Sequence, residues 1–271
     1  MRSGGATSSR FAVYAPCVFT VVRVASGFFA VVMTFHATTV LRGNVAMSVA
    51  GFDYAAIAIG VALVSDSLDG KVARLLGSAS DFGMQLDSLA DVVAFGMAPA
   101  VLGFYWGVLP SLQGLSHRFT QIAGAAAFVA CCTFLVCAVF RLARFNVTAQ
   151  HDAGSRRFVG LPAPGAAAVI AAVVHFAQRP LNGWKETAIW LSLILILAVL
   201  MVSRIGYNAS GWIPARLQNP LWMLPAGILA IWVLWIHSGA AFLSMALLFA
   251  LSGPLAGAIS SLRRYRHTAE D

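Results

Sequence analysis

Charge is scarce in this chain. Of its 271 residues only 10% are Asp, Glu, Lys or Arg, while 59% are apolar; an ordinary soluble domain carries about 25% charged residues. So few ionisable side chains cannot cover a soluble particle of this size, and the same surplus of apolar residues excludes a disordered chain. Cysteine is scarce as well. Cys17, Cys131, Cys132 and Cys137 form no C-x-x-C pair and have no histidine at zinc-finger spacing, which leaves them as buried thiols rather than a disulfide framework or a structural zinc site. The six histidines are scattered singly, without an H-E-x-x-H pattern. Internal repeats and low-complexity tracts are absent, and no basic helix interleaved with aromatics accompanies the net charge of +8, so no nucleic-acid partner is expected.

What the chain has in abundance is long apolar runs. A helix that spans a bilayer needs about 20 mostly apolar residues, and such windows fall near 17–40, 50–74, 85–109, 120–145, 161–179, 186–203, 219–237 and 239–260. The expected fold class is therefore an all-α integral membrane protein of about eight transmembrane helices. Its expected divisions are a cytoplasmic N-terminal segment (1–16), one transmembrane domain (17–260) and a basic cytoplasmic tail (261–271). Residues 11–16 are too short for the apolar core of a signal peptide, so the first run is read as a helix that stays. Pro99 is expected to kink the third span, Pro162 and Pro164 to start the fifth, and Trp106, Trp184 and Trp212 to anchor span ends at the interface.

Eight spans put both termini on one side. That side collects fourteen of the basic residues, among them Arg23, Lys71, Arg74, Arg141 and Arg144, whereas the other has Arg42, Arg118, Arg179 and Lys185. This bias predicts cytoplasmic termini, and it explains the net positive charge through topology and anionic membrane lipids.

Acidic residues are distributed very differently. Asp53, Asp66, Asp69, Asp81, Asp87 and Asp91 are six of the ten acidic residues in the chain. Asp66 and Asp69 are three apart near the end of the second span, Asp87 and Asp91 four apart near the start of the third, so each pair shares a helix face. A carboxylate at membrane depth costs about 2.5–3.5 kcal/mol on insertion scales, so four of them need a compensating charge. A salt-bridged loop through Lys71 and Arg74 would supply part of it. Hard divalent cations supply more, and oxygen-only ligands point to Mg²⁺ or Mn²⁺, ions that usually accompany a phosphate substrate.

The full pattern reads Asp66-x-x-Asp69-Gly70-x-x-Ala73-Arg74, eight further residues, then Gly83-x-x-x-Asp87-x-x-x-Asp91. Gly70 and Gly83 lack a Cβ, so a ligand can approach the backbone there; Ala73 keeps the helix face shallow, and Arg74 offers a planar donor fork for phosphate. This pattern resembles the signature of the CDP-alcohol phosphotransferase family at each of its fixed positions. The resemblance implies a membrane-embedded helical bundle in which Asp66, Asp69, Asp87 and Asp91 hold two metal ions and Asp91 is also the general base. It further implies that Gly70, Arg74 and Ser80 contact the CDP moiety, and that the enzyme is a homodimer.

Further segments narrow the branch. Asp87-Ser88-Leu89-Ala90-Asp91 with Phe95-Gly96-Met97-Ala98-Pro99-Ala100, Arg141-Leu142-Ala143-Arg144-Phe145-Asn146, and Gly160-Leu161-Pro162-Ala163-Pro164 are similar to the membrane-embedded members that use serine as acceptor. The first helix departs from the family pattern. Where the family often has Pro-Asn-x-x-Thr, and serine-type members a second Asn three residues after the Thr, this chain reads Pro16-Cys17-Val18-Phe19-Thr20 and then Arg23, an arginine that resembles the glycerol-phosphate branch.

The resemblance thus implies transfer of the phosphatidyl group from CDP-diacylglycerol to L-serine with release of CMP, at the cytoplasmic face of what is expected to be a bacterial cytoplasmic membrane. Serine brings a carboxylate of its own, and Arg141, Arg144 and Asn146 near the end of the fourth span are the candidates to receive it. The alternatives are the same chemistry with glycerol 3-phosphate, an inositol phosphate or choline, and, from another class, a secondary transporter. A transporter would be expected to show an inverted repeat. The soluble type of serine-accepting synthase, with its H-x-K motif, is excluded because no histidine here is followed two residues later by lysine.

Overall fold

The computed structural model describes residues 5–40, 45–76, 81–112, 117–151, 158–207 and 239–254. Helices dominate: α1 (Gly5–Val40), α2 (Val45–Leu76), α3 (Asp81–Asp91), α4 (Ala98–Gly107), α5 (His117–His151), α6 (Ala163–Ala177), α7 (Trp184–Val202) and α8 (Gly239–Pro254). A π-helical turn, Val92–Met97, joins α3 to α4 in one continuous span. Two strands of two residues each, β1 (Phe158–Val159) and β2 (Gly206–Tyr207), pair antiparallel outside the helices.

Among the described residues, five segments are long and apolar enough to cross a membrane: Val18–Val40, Val45–Asp69, Gly83–Gly107, Thr120–Val147 and Trp184–Val202. The chain is a multi-pass membrane protein. The eight expected spans are not all matched at full length. The window at 219–237 lies outside the described residues, and those at 161–179 and 239–260 correspond to the shorter helices α6 and α8. At 1.5 Å per residue the 15 residues of α6 reach about 22 Å, less than the roughly 30 Å hydrocarbon core. Proline defines its start, since Pro162 is an extended N-cap and Pro164 lies in the first turn, while Gln178 ends it in a left-handed conformation with φ 49°. Shortness is tolerated because α6 is central: Ala166, Ala167, Val169, Ile170, Ala171 and Ala172 are all buried.

Small residues let the helices approach closely, as packing within lipid requires. α1 packs chiefly along α2, α5 along α7, and α6 against α2. A Cβ on Gly27 of α1 would lie 2.9 Å from the Cα of Ala94, so only glycine permits α1 to touch the π turn. Pro99 stands in the first turn of α4, just past that π turn. Proline has no N–H to donate and crowds the carbonyl four residues back, so a change of helical register at this point accommodates it. Trp106 departs from its expected role as an interface anchor. It is buried and packs edge-on against Trp190, whose indole N–H donates to the Gly103 carbonyl. Trp184 is exposed, as expected of an anchor, and Trp212 lies outside the described residues. Cys131, Cys132 and Cys137 are free thiols, the first buried and the others half-buried.

One end of the bundle is cross-linked. Gly160, at φ 84°, donates its N–H to Ile205, and Leu161 donates to Leu200, which ties the start of α6 to the end of α7. Arg144 of α5 donates to the carbonyls of Val202 and Ser203 at the same place. At the other end of α6, His175 pairs with Asp53 of α2. The α5–α6–α7 junction lies at the end of the bundle that carries the aspartates.

Candidate active site

Two helices deliver the acidic cluster. Asp66 and Asp69 lie on the last turns of the apolar part of α2, and Asp87 and Asp91 on α3, so that helical periodicity turns each pair toward the other. One oxygen from each of Asp66, Asp87 and Asp91 falls within 4.8 Å of the others. Asp69 stands slightly aside, accepting a hydrogen bond of 3.0 Å from the Thr20 hydroxyl of α1. The Ser65 hydroxyl donates to the Phe19 carbonyl at 2.9 Å and fixes α2 against α1 beside the cluster.

At the centre is Arg23, with a side chain 0% exposed. Its Nη1 lies 2.5 Å from Asp87 and 2.6 Å from Asp91, and its Nη2 lies 3.1 Å from both Asp66 and Asp69. One guanidinium thus reaches all four carboxylates, one nitrogen to each acidic helix. The sequence reading counts Arg23 only as a cytoplasmic-side charge and as a departure in the first helix. The signal that points to it is charge balance, since four aspartates at membrane depth require cations and the adjoining sequence offers few.

Arg141 of α5 is also a buried cation, and it lines a cavity together with Asp66, Asp87 and Asp91. Its guanidinium lies 5.9 Å from the centre of the Phe145 ring, and its Nε has no hydrogen-bond partner. Asn146 also lines the cavity and donates at 2.8 Å to the hydroxyl of Ser88, between the two α3 aspartates. Arg144 is engaged instead with the last carbonyls of α7, so the three acceptor candidates do not act alike. Gly83 begins the apolar part of the third span. Gly70, Ala73 and Arg74 lie on the last two turns of α2, where the helix but not its side chains is described, and Ser80 lies outside the described residues.

The cavity has a volume of about 1140 Å³. Its polar end is formed by Asp66, Asp87, Asp91 and Arg141 with Ser67, Gln85, Ser88 and Asn146; the apolar walls come from Gly60, Leu63 and Val64 of α2, Pro164 and Ala168 of α6, and Phe242, Met245 and Phe249 of α8. The contribution of α8 was not foreseen. Its three large side chains recur at intervals of three and four, one helix face, but in a helix apolar all round that pattern has no polar contrast to reveal it.

Electrostatics favours a cation here. Four carboxylates against Arg23 leave a formal charge of −3, and Arg141 reduces it only to −2. Carboxylate oxygens are the donor set that hard divalent ions prefer, and three of them already converge. The residues present therefore fit Mg²⁺ or Mn²⁺.

Residues 13–200, which contain all four aspartates, Arg23 and Arg141, match the CDP-alcohol phosphatidyltransferase family. Among curated proteins, the CDP-diacylglycerol–serine O-phosphatidyltransferase of Helicobacter pylori is 37% identical over 147 residues, covering 54% of this chain and 56% of its own. The enzyme of that name from Mycobacterium leprae is 40% identical over 161 residues, 56% of this chain and 48% of its own. The archaetidylserine synthase of Methanothermobacter thermautotrophicus is 34% identical over 149 residues, 54% of each chain. The matched stretch spans about half the length of these relatives. Since the family match covers well over half of the 271 residues and encloses the whole aspartate cluster, this chain belongs to the CDP-alcohol phosphatidyltransferase family.

Proposed function

We propose that this protein transfers the phosphatidyl group of CDP-diacylglycerol to the hydroxyl of L-serine, giving phosphatidylserine and CMP. The observation that carries this reading is the meeting of Asp66, Asp87, Asp91 and the buried Arg141 at the polar end of one large, mostly apolar cavity. A lipid substrate with an anionic nucleotide head has that same division into polar and apolar parts. The serine-accepting relatives from two bacteria and the archaetidylserine synthase support serine as the acceptor.

In this reading Asp66, Asp69, Asp87 and Asp91 would hold two divalent ions, Mg²⁺ or Mn²⁺. When bound, such ions offset the charge of the diphosphate and of departing CMP. Gly70, Ala73, Arg74, Ser80 and Gly83 receive the CDP moiety. Asp91 accepts the proton of the serine hydroxyl as its oxygen bonds to the phosphorus that bears diacylglycerol. The bond from that phosphorus to the CMP oxygen breaks, and its electron pair leaves with CMP. Arg141 receives the serine carboxylate, because a buried guanidinium with a free donor gives a charge-assisted hydrogen bond that water does not screen. Asn146, held through Ser88, borders the same space. Arg144 contributes by holding α5 to α7 around it. The acyl chains of the donor lie along Leu63, Ala168, Phe242 and Phe249. The site faces the cytoplasm of a bacterial cell, and the protein works as a homodimer.

The test is CMP release by the purified full-length protein in detergent, with CDP-diacylglycerol, Mn²⁺ or Mg²⁺, and each acceptor offered separately. Serine alone is expected to drive metal-dependent release. Release driven instead by glycerol 3-phosphate would keep the aspartate chemistry and replace the acceptor; release with none of serine, glycerol 3-phosphate, inositol phosphate or choline would refute the reading.

A further inference from the structure

Arg23 is bonded to the very carboxylates that would hold a metal ion. Its two terminal nitrogens contact one oxygen on each of Asp66, Asp69, Asp87 and Asp91, and three of those residues form the converging ligand group. The side chain is 0% exposed, and Thr20, one turn earlier on α1, helps to hold Asp69 in reach. An arginine in this position cannot be a snorkelling charge at a helix end. It is enclosed by α1, α2 and α3 and has no route to the interface that keeps these contacts.

We propose that Arg23 is a built-in counter-cation that holds the four carboxylates together in the metal-free protein and competes with the divalent ion for them. This inference rests on the reading that these aspartates bind metal. Two cationic partners for one set of oxygens exclude each other both by occupancy and by charge. Before loading, Arg23 spares the membrane domain four unpaired carboxylates. On loading it gives up at least the oxygens of Asp66, Asp87 and Asp91. The affinity of the site for metal is then lower than its carboxylate count suggests, because each ion must displace a bonded guanidinium. Thermodynamic linkage makes the effect reciprocal: what Arg23 adds to the stability of the metal-free form it subtracts from metal binding.

The experiment measures binding of Mn²⁺ alone, without nucleotide or lipid substrate, to the full-length protein in detergent, by the electron paramagnetic resonance signal of free Mn²⁺. The parent protein, Arg23→Met and Asp87→Asn are compared, and thermal unfolding is followed with Mn²⁺ and with EDTA. Arg23→Met keeps an unbranched stem and removes the charge and the guanidinium donors. We expect it to bind Mn²⁺ at least tenfold more tightly than the parent, to unfold at lower temperature in EDTA, and to gain more from Mn²⁺ than the parent gains. A merely structural arginine would not raise metal affinity when removed. Affinity equal to or weaker than the parent's, with parent binding abolished by Asp87→Asn, overturns the inference and leaves the metal site standing. Absence of Asp87-dependent binding in both proteins overturns the metal site and the inference together. If Arg23→Met does not fold even with Mn²⁺ present, Arg23→Lys is judged by the same criterion. A single ammonium cannot bridge four carboxylates, so it too is expected to bind Mn²⁺ several-fold more tightly than the parent; equal or weaker binding overturns the inference.

Discussion

Gly60 offers a way to test the apolar half of the cavity without touching its chemistry. The residue lies on α2, lines the cavity, and has no atom within 4 Å of the position a Cβ would take. It is six residues before Asp66, which places it about 9 Å along the helix axis from the carboxylate cluster, toward the middle of the membrane. A leucine there meets no protein atom as it leaves the backbone. Helix propensity alone improves by up to about 1 kcal/mol on replacing glycine in a helix interior, so the fold is not expected to suffer. The new side chain enters the space where the acyl chains of the donor are proposed to run.

The size of the effect follows from where those chains come from. They enter from lipid, not from water, so no hydrophobic transfer energy is lost when they are displaced. What remains is steric, and forcing extra methylenes into a filled apolar space costs about 1–3 kcal/mol. That corresponds to a loss of roughly 5- to 150-fold in kcat/KM for a long-chain donor. Gly60→Leu should therefore unfold at the parental temperature or above, lose activity on dioleoyl CDP-diacylglycerol by that factor, and lose much less on a short-chain analogue whose tails end before this depth. CMP release with the two donors, beside thermal unfolding of the same preparation, measures both. Unchanged kinetics with both donors would refute the assignment of this wall to the lipid. Equal losses with both would refute the depth argument.

Asp91→Asn removes the proposed proton acceptor, and a fall in kcat of about 10²–10⁴ is expected in the CMP-release assay; full turnover would sink the general-base assignment. Arg141→Met removes a charge-assisted donor, a group commonly contributing about 1.5–3 kcal/mol. It should raise KM for serine by roughly 10- to 150-fold while altering KM for CDP-diacylglycerol far less, and equal changes in both would place Arg141 elsewhere. Gly160→Ala puts a Cβ 2.5 Å from the Met201 carbonyl at a residue with φ 84°. The left-handed backbone and the clash together should destabilise the protein by about 2–4 kcal/mol, read from unfolding in detergent; parental stability would refute the importance of the α6–α7 junction.

The parts of the molecule that the sequence makes plain are those where one physical requirement leaves one solution. Two carboxylates three or four apart share a helix face whatever else the chain does, so Asp66 and Asp69 were certain to point together, as were Asp87 and Asp91. A short connection between the two helices then brings the pairs to the same end of the bundle. Proline in the right place made the start of α6 legible for the same reason. Trp106 was misjudged because tryptophan satisfies two requirements equally well: at a span end it anchors in the interface, and against Trp190 it fills a core.

Arg23 is the sharper case of such a coincidence. On the side favoured by positive residues, an arginine near the start of a span satisfies topology without any partner, and nothing local separates that arginine from one buried among carboxylates. What separates them is balance. Four aspartates at membrane depth require cations, and Lys71 and Arg74 are the candidates nearest in sequence. The cation that meets all four instead comes from a helix more than forty residues away, brought there by close packing of α1 against α2 and, at Gly27, against the π turn. In a chain with so few charges, each buried one implies another within reach. The partner of a membrane-depth carboxylate can therefore come from any span that ends on the same side, not only from the adjoining loop.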